Sequence, residues 1–315
     1  MNRAFVFPGQ GSQLIGMGKS IFDNYPAGAE VFSIVDEALG EKLSDIIFNG
    51  PEEDLKLTKN AQPALMATSI AVLRAIESES GQPVEKLVSC LAGHSLGEYS
   101  ALVAGRALEI ADAARLLRLR GESMQSAVPV GEGAMAALIG ANIPVAEKIT
   151  EKASLKGVCE IANDNASGQV VLSGSRIAIE YAIKIAKEEG IKRAVILPVS
   201  APFHCALMMP AANVMADALK DIYINEPLVP IVTNITASPE KSPEKMKLLL
   251  IQQVTGRVRW RESIECMVNN KISEIIEVGS GKVLSGLIRR IDSGVKAKSI
   301  ASSEDIQTFL PKKTN

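Results

Sequence analysis

Residues 87–97 of this chain read Leu-Val-Ser-Cys-Leu-Ala-Gly-His-Ser-Leu-Gly and join a short apolar run to a helical pattern. The apolar run at 87–92 is typical of a buried strand, and the helical pattern covers 96–104. Between them, the sequence from Gly93 to Gly97 has the form of a nucleophile elbow, a sharp turn in which small glycines let a serine hydroxyl point into a pocket. The stretch therefore predicts an α/β fold with Ser95 at the carboxyl end of a strand.

The flanking sequence supports the same fold class. Short β-branched runs alternate with longer helical patterns, which is typical of an α/β sheet with crossover helices. The sequence predicts strands at 4–7, 87–92, 230–233, 275–278 and 296–300. It predicts helices at 29–39, 64–77, 96–104, 109–127, 206–220, 243–253 and 262–270. Gly40 is the predicted C-cap of the first of these helices, and the polar tail after Ser302 predicts no element.

The middle of the chain follows a different order of elements. Strand patterns at 134–139, 159–163, 170–172 and 193–197 are interleaved with helical patterns at 144–153 and 176–189. The resulting order, β-α-β-β-α-β, is that of a ferredoxin-like unit. We therefore predict a ferredoxin-like subdomain at 131–198, inserted between the first part (1–130) and the second part (199–315) of one α/β core.

Composition argues against several classes of function. The 315 residues include 34 basic and 36 acidic side chains, and the formal net charge is −2. Nucleic acid is therefore not expected as the main partner, because phosphate binding needs a basic surface. The four cysteines lie far apart without paired spacing, which argues against a structural zinc site and a disulfide scaffold. With two histidines, His94 and His204, a His-rich metal centre is not expected either.

The longest uncharged run, residues 194–216, is long enough to span a bilayer. It contains Pro198, Pro202, Pro210 and His204, which a lipid-facing helix would not favour. We therefore interpret it as a buried strand, an irregular turn and a helix. The apolar stretch near the amino terminus is too short for the core of a signal sequence. We expect a soluble, cytoplasmic protein with no membrane partner.

A serine nucleophile needs a general base, and the two histidines are the only sources of an imidazole. His94 directly precedes Ser95, and adjacent residues in a tight turn point in different directions. His204 lies in an apolar segment, residues 199–205, that prolines hold in a non-regular shape. The sequence therefore favours His204 as the base, with a structural histidine bonded to the backbone as the alternative.

Arg120 lies in the helical pattern that begins at Glu109. At about 100° per residue it falls within about 40° of the centre of the apolar face, whereas Arg115 and Arg118 point away. A guanidinium that is directed inward needs a carboxylate or several carbonyl partners. Two interpretations stay open: an internal salt bridge, for example to Glu98, or a fork that binds the carboxylate of a substrate.

Ordered motifs along almost the whole chain resemble those of the malonyl-CoA:acyl-carrier-protein transacylase family. The first is Phe-Pro-Gly-Gln-Gly-Ser-Gln at 7–13, and the elbow extends to Gly-His-Ser-Leu-Gly-Glu-Tyr at 93–99. The other motifs are Ala-Gln-Pro-Ala at 61–64, Arg-Gly at 120–121, Asn163, Gly-Gln-Val-Val at 168–171, Pro-Phe-His-Cys-Ala-Leu-Met at 202–208, Asn234, Val-Arg-Trp at 258–260, Glu-Val-Gly at 277–279 and Gly-Lys-Val-Leu at 281–284. The sequence departs from the family pattern at 255–257 and at Ser280, and both departures concern the shape of loops.

The resemblance implies a hydrolase-like α/β core in which Ser95 accepts the acyl group and His204 is its base. In this family a main-chain carbonyl of a glutamine orients the histidine, and that residue is here Gln253. Phe203 resembles the residue of family members that select malonyl over methylmalonyl groups. The resemblance also implies roles for an oxyanion hole (the backbone N–H groups of Gln10 and Leu96), for a ligand of the malonyl carboxylate (Arg120) and for further pocket residues (Asn163, His94 and Phe203).

The activity that the resemblance implies is transfer of a malonyl group from malonyl-CoA to the phosphopantetheine thiol of holo acyl carrier protein, through a malonyl-serine intermediate. No metal or prosthetic group is expected, because the CoA thioester is itself the substrate. We expect a monomer. The carrier protein is acidic in this family, and the candidates for a basic docking surface are Arg257, Arg259, Arg261, Arg289 and Arg290.

Two other interpretations compete with this one. A serine hydrolase or thioesterase on a related scaffold would use the same elbow, but it gives no role to an inward-facing Arg120. A non-catalytic module that binds acyl carrier protein or CoA would form no covalent adduct on Ser95. A covalent intermediate and its fate therefore separate the three interpretations.

Overall fold

The computed structural model describes residues 2–310 and contains two β-sheets. The strands are β1 Arg3–Phe7, β2 Cys90–Gly93, β3 Gly133–Ile139, β4 Cys159–Ala166, β5 Gln169–Ser175, β6 Arg193–Ile196, β7 Ile231–Val232, β8 Pro239–Glu240, β9 Glu274–Val278 and β10 Lys296–Ile300. The helices are α1 Lys19–Asn24, α2 Pro26–Leu39, α3 Leu43–Asn49, α4 Glu52–Lys56, α5 Thr58–Ser80, α6 Val84–Leu87, α7 Gly97–Ala104, α8 Ile110–Ser126, α9 Ile143–Ala153, α10 Arg176–Glu188, α11 Met209–Lys220, α12 Pro243–Thr255, α13 Trp260–Asn269, α14 Val283–Ile291 and α15 Ser303–Phe309.

The larger sheet is six-stranded, in the order β10-β9-β1-β2-β7-β8. All its pairings are parallel except that of β8 with β7. Phe7 at the end of β1 is in register with Gly93 at the end of β2. The loop that follows β1 therefore lies beside the turn that follows β2, and the predicted α/β class with a parallel sheet is confirmed.

The strand predicted at 87–92 is partly wrong. The strand β2 begins only at Cys90, because α6 ends at Leu87 and the Val88 N–H still donates to the Val84 carbonyl at 3.0 Å. Leu87 and Val88 are nonetheless buried. A short apolar run is compatible with either a buried strand or a buried helical turn, so the sequence pattern did not separate the two.

The smaller sheet is four-stranded and antiparallel, in the order β4-β5-β3-β6. The order of elements predicted for 131–198 is confirmed, with α9 and α10 packed over a separate apolar cluster. The expectation that 193–197 is buried is wrong, since Val195 and Ile196 are 43% and 41% exposed. The strand β6 lies at the edge of the sheet and pairs only with β3, so one side of it stays open.

The two sheets are joined at β4. Asn163 forms a parallel bridge with Val258, which precedes α13. The Val258 N–H donates to the Ala162 carbonyl at 2.8 Å, and the Asp164 N–H donates to the Val258 carbonyl at 3.0 Å. The Arg261 guanidinium reaches back from α13 to the buried Asp164 carboxylate at 2.8 Å. These contacts place the smaller sheet beside the carboxyl ends of the parallel strands.

The long helices lie close to their predicted positions, and Gly40 caps α2 with φ 65° as expected. Several short helices were not predicted, and neither was α15, in the tail that predicted no element. The signal for α15 is a capping box, in which the Ser302 side chain accepts from the Asp305 N–H. Residues 311–315 of the predicted segment 199–315 lie outside the described residues.

Within residues 2–310, the structure has no helix that is both long enough and apolar enough to cross a membrane. The uncharged run 194–216 is divided between β6, an irregular segment, a 3-10 turn at Ala206–Met208 and the start of α11. The interpretation of this run as a strand, a turn and a helix is therefore confirmed, apart from the burial of the strand.

Candidate active site

The turn from β2 to α7 places Ser95 just beyond the carboxyl end of β2. Ser95 has a left-handed backbone, with φ 54°. Two glycines make this turn possible. A Cβ on Gly93 would lie 1.8 Å from the Gly97 carbonyl oxygen, and a Cβ on Gly97 would lie 2.4 Å from the Phe7 carbonyl oxygen. Neither distance is sterically allowed for a side chain, so both positions need glycine. The predicted elbow is therefore present, packed against the end of β1.

Asn234 holds the elbow from the other side. Its side-chain Oδ1 accepts from the Ser95 N–H at 2.7 Å, and its Nδ2 donates to the Gly93 carbonyl at 2.7 Å. The side chain is 1% exposed, so both bonds lie in a region of low dielectric constant. Asn234 therefore fixes the turn on both sides of the serine.

The Ser95 hydroxyl donates to Nε2 of His204 at 2.8 Å. The other ring nitrogen, Nδ1, lies 2.8 Å from the main-chain oxygen of Gln253. Because a carbonyl oxygen only accepts, the ring proton resides on Nδ1 and Nε2 is the acceptor that faces the serine. The three predicted residues Ser95, His204 and Gln253 are thus brought together in a hydrogen-bonded row.

Burial lowers the pKa of His204 to about 3, and the nearby positive charge of Arg120 acts in the same direction. The imidazole is 4% exposed and is therefore uncharged at neutral pH. A neutral imidazole that accepts from a serine hydroxyl is in the protonation state that a general base requires.

Two backbone N–H groups beside Ser95 form no hydrogen bond with any residue in 2–310: those of Gln10 and Leu96. Leu96 immediately precedes α7, and Gln10 lies in the loop after β1. That loop packs closely on the elbow: a Cβ on Gly9 would lie only 2.8 Å from the His94 carbonyl oxygen. The two predicted donors are therefore close to the turn and available to an incoming oxygen.

The Arg120 side chain is 1% exposed, which confirms that it faces inward. Its Nη1 donates to Gln62 Oε1 at 2.7 Å, and its Nη2 donates to Gln253 Oε1 at 2.9 Å and to Ser95 Oγ at 3.3 Å. The Nε has no hydrogen-bond partner among residues 2–310. The guanidinium thus lies beside the serine with donor capacity left over.

The interpretation of Arg120 as half of a salt bridge is wrong within the described chain, since no carboxylate oxygen of residues 2–310 lies within 4.0 Å of it. Glu98 instead accepts from the Gln253 side chain and the Asn234 backbone. The expectation that Arg118 points away is also wrong: its side chain is 15% exposed and pairs with Glu41.

The remaining predicted pocket residues are His94, Asn163 and Phe203. His94 directs its Nε2 to Asn165 Oδ1 at 2.9 Å, and its ring lies 5.5 Å from that of Trp260. His94 therefore points toward the smaller sheet. This agrees with the expectation that the side chains of His94 and Ser95 point in different directions. Asn163 is buried in β4, while Phe203 is buried in the main apolar cluster directly before His204.

Sequence reasoning assigned no role in the site to Gln62, Asn165 or Asn234, and it named Glu98 only as a possible salt-bridge partner of Arg120. Gln62, Asn165 and Asn234 bind Arg120, His94 and the elbow, and the Glu98 side chain binds the amide of Gln253. Gln62, Glu98 and Asn234 all lie inside motifs that carry the family resemblance. The signal that could have found them was their place in those motifs.

Cys205 is next to His204 but is not suited to act as a nucleophile. Burial raises the pKa of its thiol to about 11, and its Sγ donates to the Pro202 carbonyl. Among residues 2–310, no three His, Cys, Asp or Glu side chains form a group that is able to hold a metal ion. The side-chain groups that the structure brings together at Ser95 are its hydroxyl, the His204 imidazole and the Arg120 guanidinium.

A family model described as the acyl transferase domain matches residues 4–303. The chain belongs to this family. It is 44% identical over 308 residues to the malonyl CoA-acyl carrier protein transacylase of Bacillus subtilis, an alignment that covers 98% of this chain and 96% of that protein.

Solved structures of family members have the same fold. The acyl-carrier-protein-S-malonyltransferase of Bartonella henselae superposes with a TM-score of 0.96 at 55% identity, over 98% of both chains. A second structure, described as a type II PKS acyl-carrier protein in complex with its malonyl-transacylase, has a TM-score of 0.94 at 38% identity and covers 98% of this chain and 99% of that one. The resemblance identified from the motifs is thus confirmed at the level of the family.

Proposed function

We propose that this protein transfers a malonyl group from malonyl-CoA to the phosphopantetheine thiol of holo acyl carrier protein and so supplies fatty-acid elongation. The names of the relatives support this substrate pair. The observation that carries the proposal is the buried Arg120 guanidinium, which lies 3.3 Å from the Ser95 hydroxyl without a carboxylate partner among residues 2–310. A carboxylate attached to an acyl group on Ser95 would be its natural ligand.

In the first half-reaction, Nε2 of His204 takes the proton of the Ser95 hydroxyl while Oγ attacks the thioester carbonyl of malonyl-CoA. The negative charge that develops on the carbonyl oxygen is stabilised by the N–H groups of Gln10 and Leu96. When the tetrahedral intermediate collapses, the bond to sulfur breaks and the His204 imidazolium returns its proton to the CoA thiolate. The product is a malonyl ester on Ser95.

In the second half-reaction the carrier-protein thiol gives its proton to His204 and attacks the malonyl ester. The bond to Ser95 Oγ breaks, and the serine recovers its proton from the imidazolium. Two thioester exchanges through one acyl-enzyme produce ping-pong kinetics. No metal or prosthetic group is required, because the base, the oxyanion donors and the carboxylate ligand are all protein groups.

We assign the segments 1–130 and 199–315, which contain the larger sheet, to a hydrolase-like core. We assign the segment 131–198 to a ferredoxin-like subdomain. Supporting this division, the strands of the smaller sheet lie in the order β4-β5-β3-β6 and all pair antiparallel. Cytoplasmic location and a monomeric state remain part of the proposal.

The ion pairs narrow the choice of carrier-protein docking residues. Arg257 and Arg259 share Glu262, and Arg261 pairs with both Asp164 and Glu265, so within this group three positive charges face three negative ones. Arg289 and Arg290 instead bind a backbone carbonyl and the Gln169 amide oxygen. Their positive charges are available to an acidic partner, so we assign them the larger role in docking.

Intact-mass measurement after mixing with malonyl-CoA tests the function. We expect one malonyl group on Ser95, none on Ser95→Ala, and strongly slowed formation on His204→Ala. Holo carrier protein should remove the group much faster than water does. Discharge by water alone would identify a hydrolase, and the absence of any adduct would identify a non-catalytic binding module.

A further inference from the structure

The Glu98 carboxylate is buried, and its two oxygens differ in their contacts. Glu98 lies in the first turn of α7 and is 1% exposed. Its Oε2 accepts from the Asn234 N–H at 3.0 Å and from the Gln253 Nε2 at 2.7 Å. Its Oε1 is buried and has no hydrogen-bond partner within the described part of the chain. The acyl-transfer steps above leave this carboxylate without a role.

The side-chain amide of Gln253 connects Glu98 to Arg120. Its Nε2 donates to Glu98, and its Oε1 accepts from Arg120 at 2.9 Å. The Nε2 also donates to the Ser95 carbonyl at 3.0 Å, which fixes the orientation of the amide independently. One negative and one positive side chain therefore face each other across a neutral amide, without direct contact.

This arrangement balances charge only while no charged acyl group is bound. A malonyl carboxylate on Arg120 would place two negative charges near one positive charge in a buried site. An uncompensated charge in such surroundings is costly, and the group then tends to neutralise by binding a proton. An acetyl group brings no charge and leaves the balance as it was.

We propose that Glu98 is the buried counter-charge of Arg120 and takes up one proton when a dicarboxylic acyl group binds, an inference that rests on the proposed function. The proton comes from water or a buffer acid and bonds to Oε1, the oxygen without a partner. The carboxylate becomes a neutral carboxylic acid. Because Oε2 keeps both of its acceptor bonds, Asn234 and Gln253 stay in place.

The other titratable groups around Glu98 do not change charge near neutral pH. Burial raises the pKa of Tyr99, on the same helix, to about 12 and lowers that of His204 to about 3. Burial also lowers the pKa of His94. Among the described residues, the charged group that acts on Glu98 is Arg120, on α8. No charged group that acts on Glu98 comes from the other described elements that pack on α7, which are α5, β1 and β2.

Burial raises the pKa of Glu98 itself to about 7, against the opposing effects of its hydrogen bonds and of Arg120. The group is therefore mostly ionised above that pH in the free enzyme. A second carboxylate on Arg120 raises its pKa further, since like charges oppose ionisation. Proton uptake on malonyl binding is then largest on the alkaline side of neutrality.

The ratio of kcat/KM for malonyl-CoA to that for acetyl-CoA, measured as a function of pH, tests the proposal. The His204 base acts on both acyl groups, so its titration cancels in the ratio. We expect the ratio to fall at least about threefold between about pH 6 and about pH 9, because the proton becomes harder to obtain. A ratio that does not change with pH would overturn the proposal.

Two variants separate charge from packing. Glu98→Gln keeps an acceptor oxygen for Asn234 and Gln253 but carries no charge, so its ratio should vary less than about twofold over the same range. The matched control is Tyr99→Phe, which removes a buried hydroxyl without a partner beside Arg120 and changes no charge. The control should follow the wild-type curve. A Glu98→Gln ratio that also follows that curve would contradict the inference.

A second measurement needs no variant. Acylation by malonyl-CoA and by acetyl-CoA releases the same thiol, so the difference in proton balance reports the site alone. In weak buffer at about pH 8 we expect net uptake approaching about one proton per malonylated serine, relative to acetylated serine. Equal proton balances would overturn the role of Glu98 while leaving the transferase intact. Failure of malonyl to label Ser95 at all would instead reject the proposed function.

Discussion

Ser95 and His204 both have a left-handed backbone, with φ 54° and φ 59°. Residues other than glycine rarely adopt this backbone conformation, and each instance costs about 1–3 kcal/mol of folding free energy. The structure retains it because surrounding contacts hold both residues: Asn234 binds the serine N–H and the Gln253 carbonyl binds the imidazole. At the residue scale, both groups that would exchange a proton thus have a strained backbone, as do Arg106, Ala237 and Lys271 elsewhere in the described chain.

Arg120→Ala should remove most of the preference for malonyl over acetyl groups. A hydrogen bond to a charged group contributes about 1.5–3 kcal/mol, so we expect the kcat/KM ratio of malonyl-CoA to acetyl-CoA to fall about 10- to 100-fold. Steady-state kinetics with both thioesters measure this ratio. Arg120→Lys keeps the charge without the planar fork and should give an intermediate ratio. Equal relative losses for both substrates would show that Arg120 supports the site without binding the carboxylate.

At the scale of elements, α7 is short and buried along its whole length, from Gly97 to Ala104. Its amino-terminal end faces the region where the oxyanion would form, and helix N–H groups favour negative charge there. The helix end lies this close to β1 only because Gly97 has no side chain. The packing of one helix end therefore controls both the turn and the donors.

Gly97→Ala should disturb activity more than stability. A methyl group there would lie 2.4 Å from the Phe7 carbonyl oxygen, so the elbow must move away from β1. We expect a loss of about 1–3 kcal/mol in the free energy of unfolding and about a 100-fold loss in the rate of Ser95 acylation. Denaturant unfolding and single-turnover labelling measure the two quantities.

The matched control for this change is Gly286→Ala in α14, where an added Cβ meets no atom within 4 Å. This variant should raise the free energy of unfolding by about 0.5–1 kcal/mol, because alanine restricts the unfolded chain, and it should leave acylation unchanged. Similar kinetic losses in both variants would mean that the contact between α7 and β1 does not set the elbow.

At the scale of the whole molecule, the junction of the two sheets contains a buried carboxylate. Asp164 is 1% exposed and accepts from Nε and Nη2 of Arg261. Hydrogen bonding to Asp164 raises the pKa of the Arg261 guanidinium and keeps it charged. This pair connects β4 to α13, and β4 also carries Asn165, the partner of His94.

Arg261→Ala should destabilise the whole protein by about 3–5 kcal/mol, because it leaves the Asp164 carboxylate buried without a partner. The midpoint of urea unfolding measures the change. Arg115→Ala is the matched control: its side chain is 57% exposed and pairs with Asp112 on the same helix, so the change should stay within about 0.5 kcal/mol. Comparable shifts for both variants would show that the junction does not depend on this pair.

Much of the fold could be predicted from local patterns. The long amphipathic helices, the β-α-β-β-α-β order and the parallel core each leave a periodic or ordered signal in the sequence. Short helices such as α4 and α6 were not predicted because four or five residues are too few to show a period. The exposure of β6 was not predicted because the position of a strand within its sheet is a property of the topology.

The sequence by itself determined the elbow around Ser95, the inward face of Arg120 and, through the scarcity of histidine, the choice of His204. These are local or compositional properties. Only the tertiary structure decided that Arg120 meets amides instead of a carboxylate, and that Glu98 binds Gln253, which lies 155 positions away. Such pairs form where strand order and helix packing bring remote segments together, and no periodicity in the chain records which buried polar groups will meet.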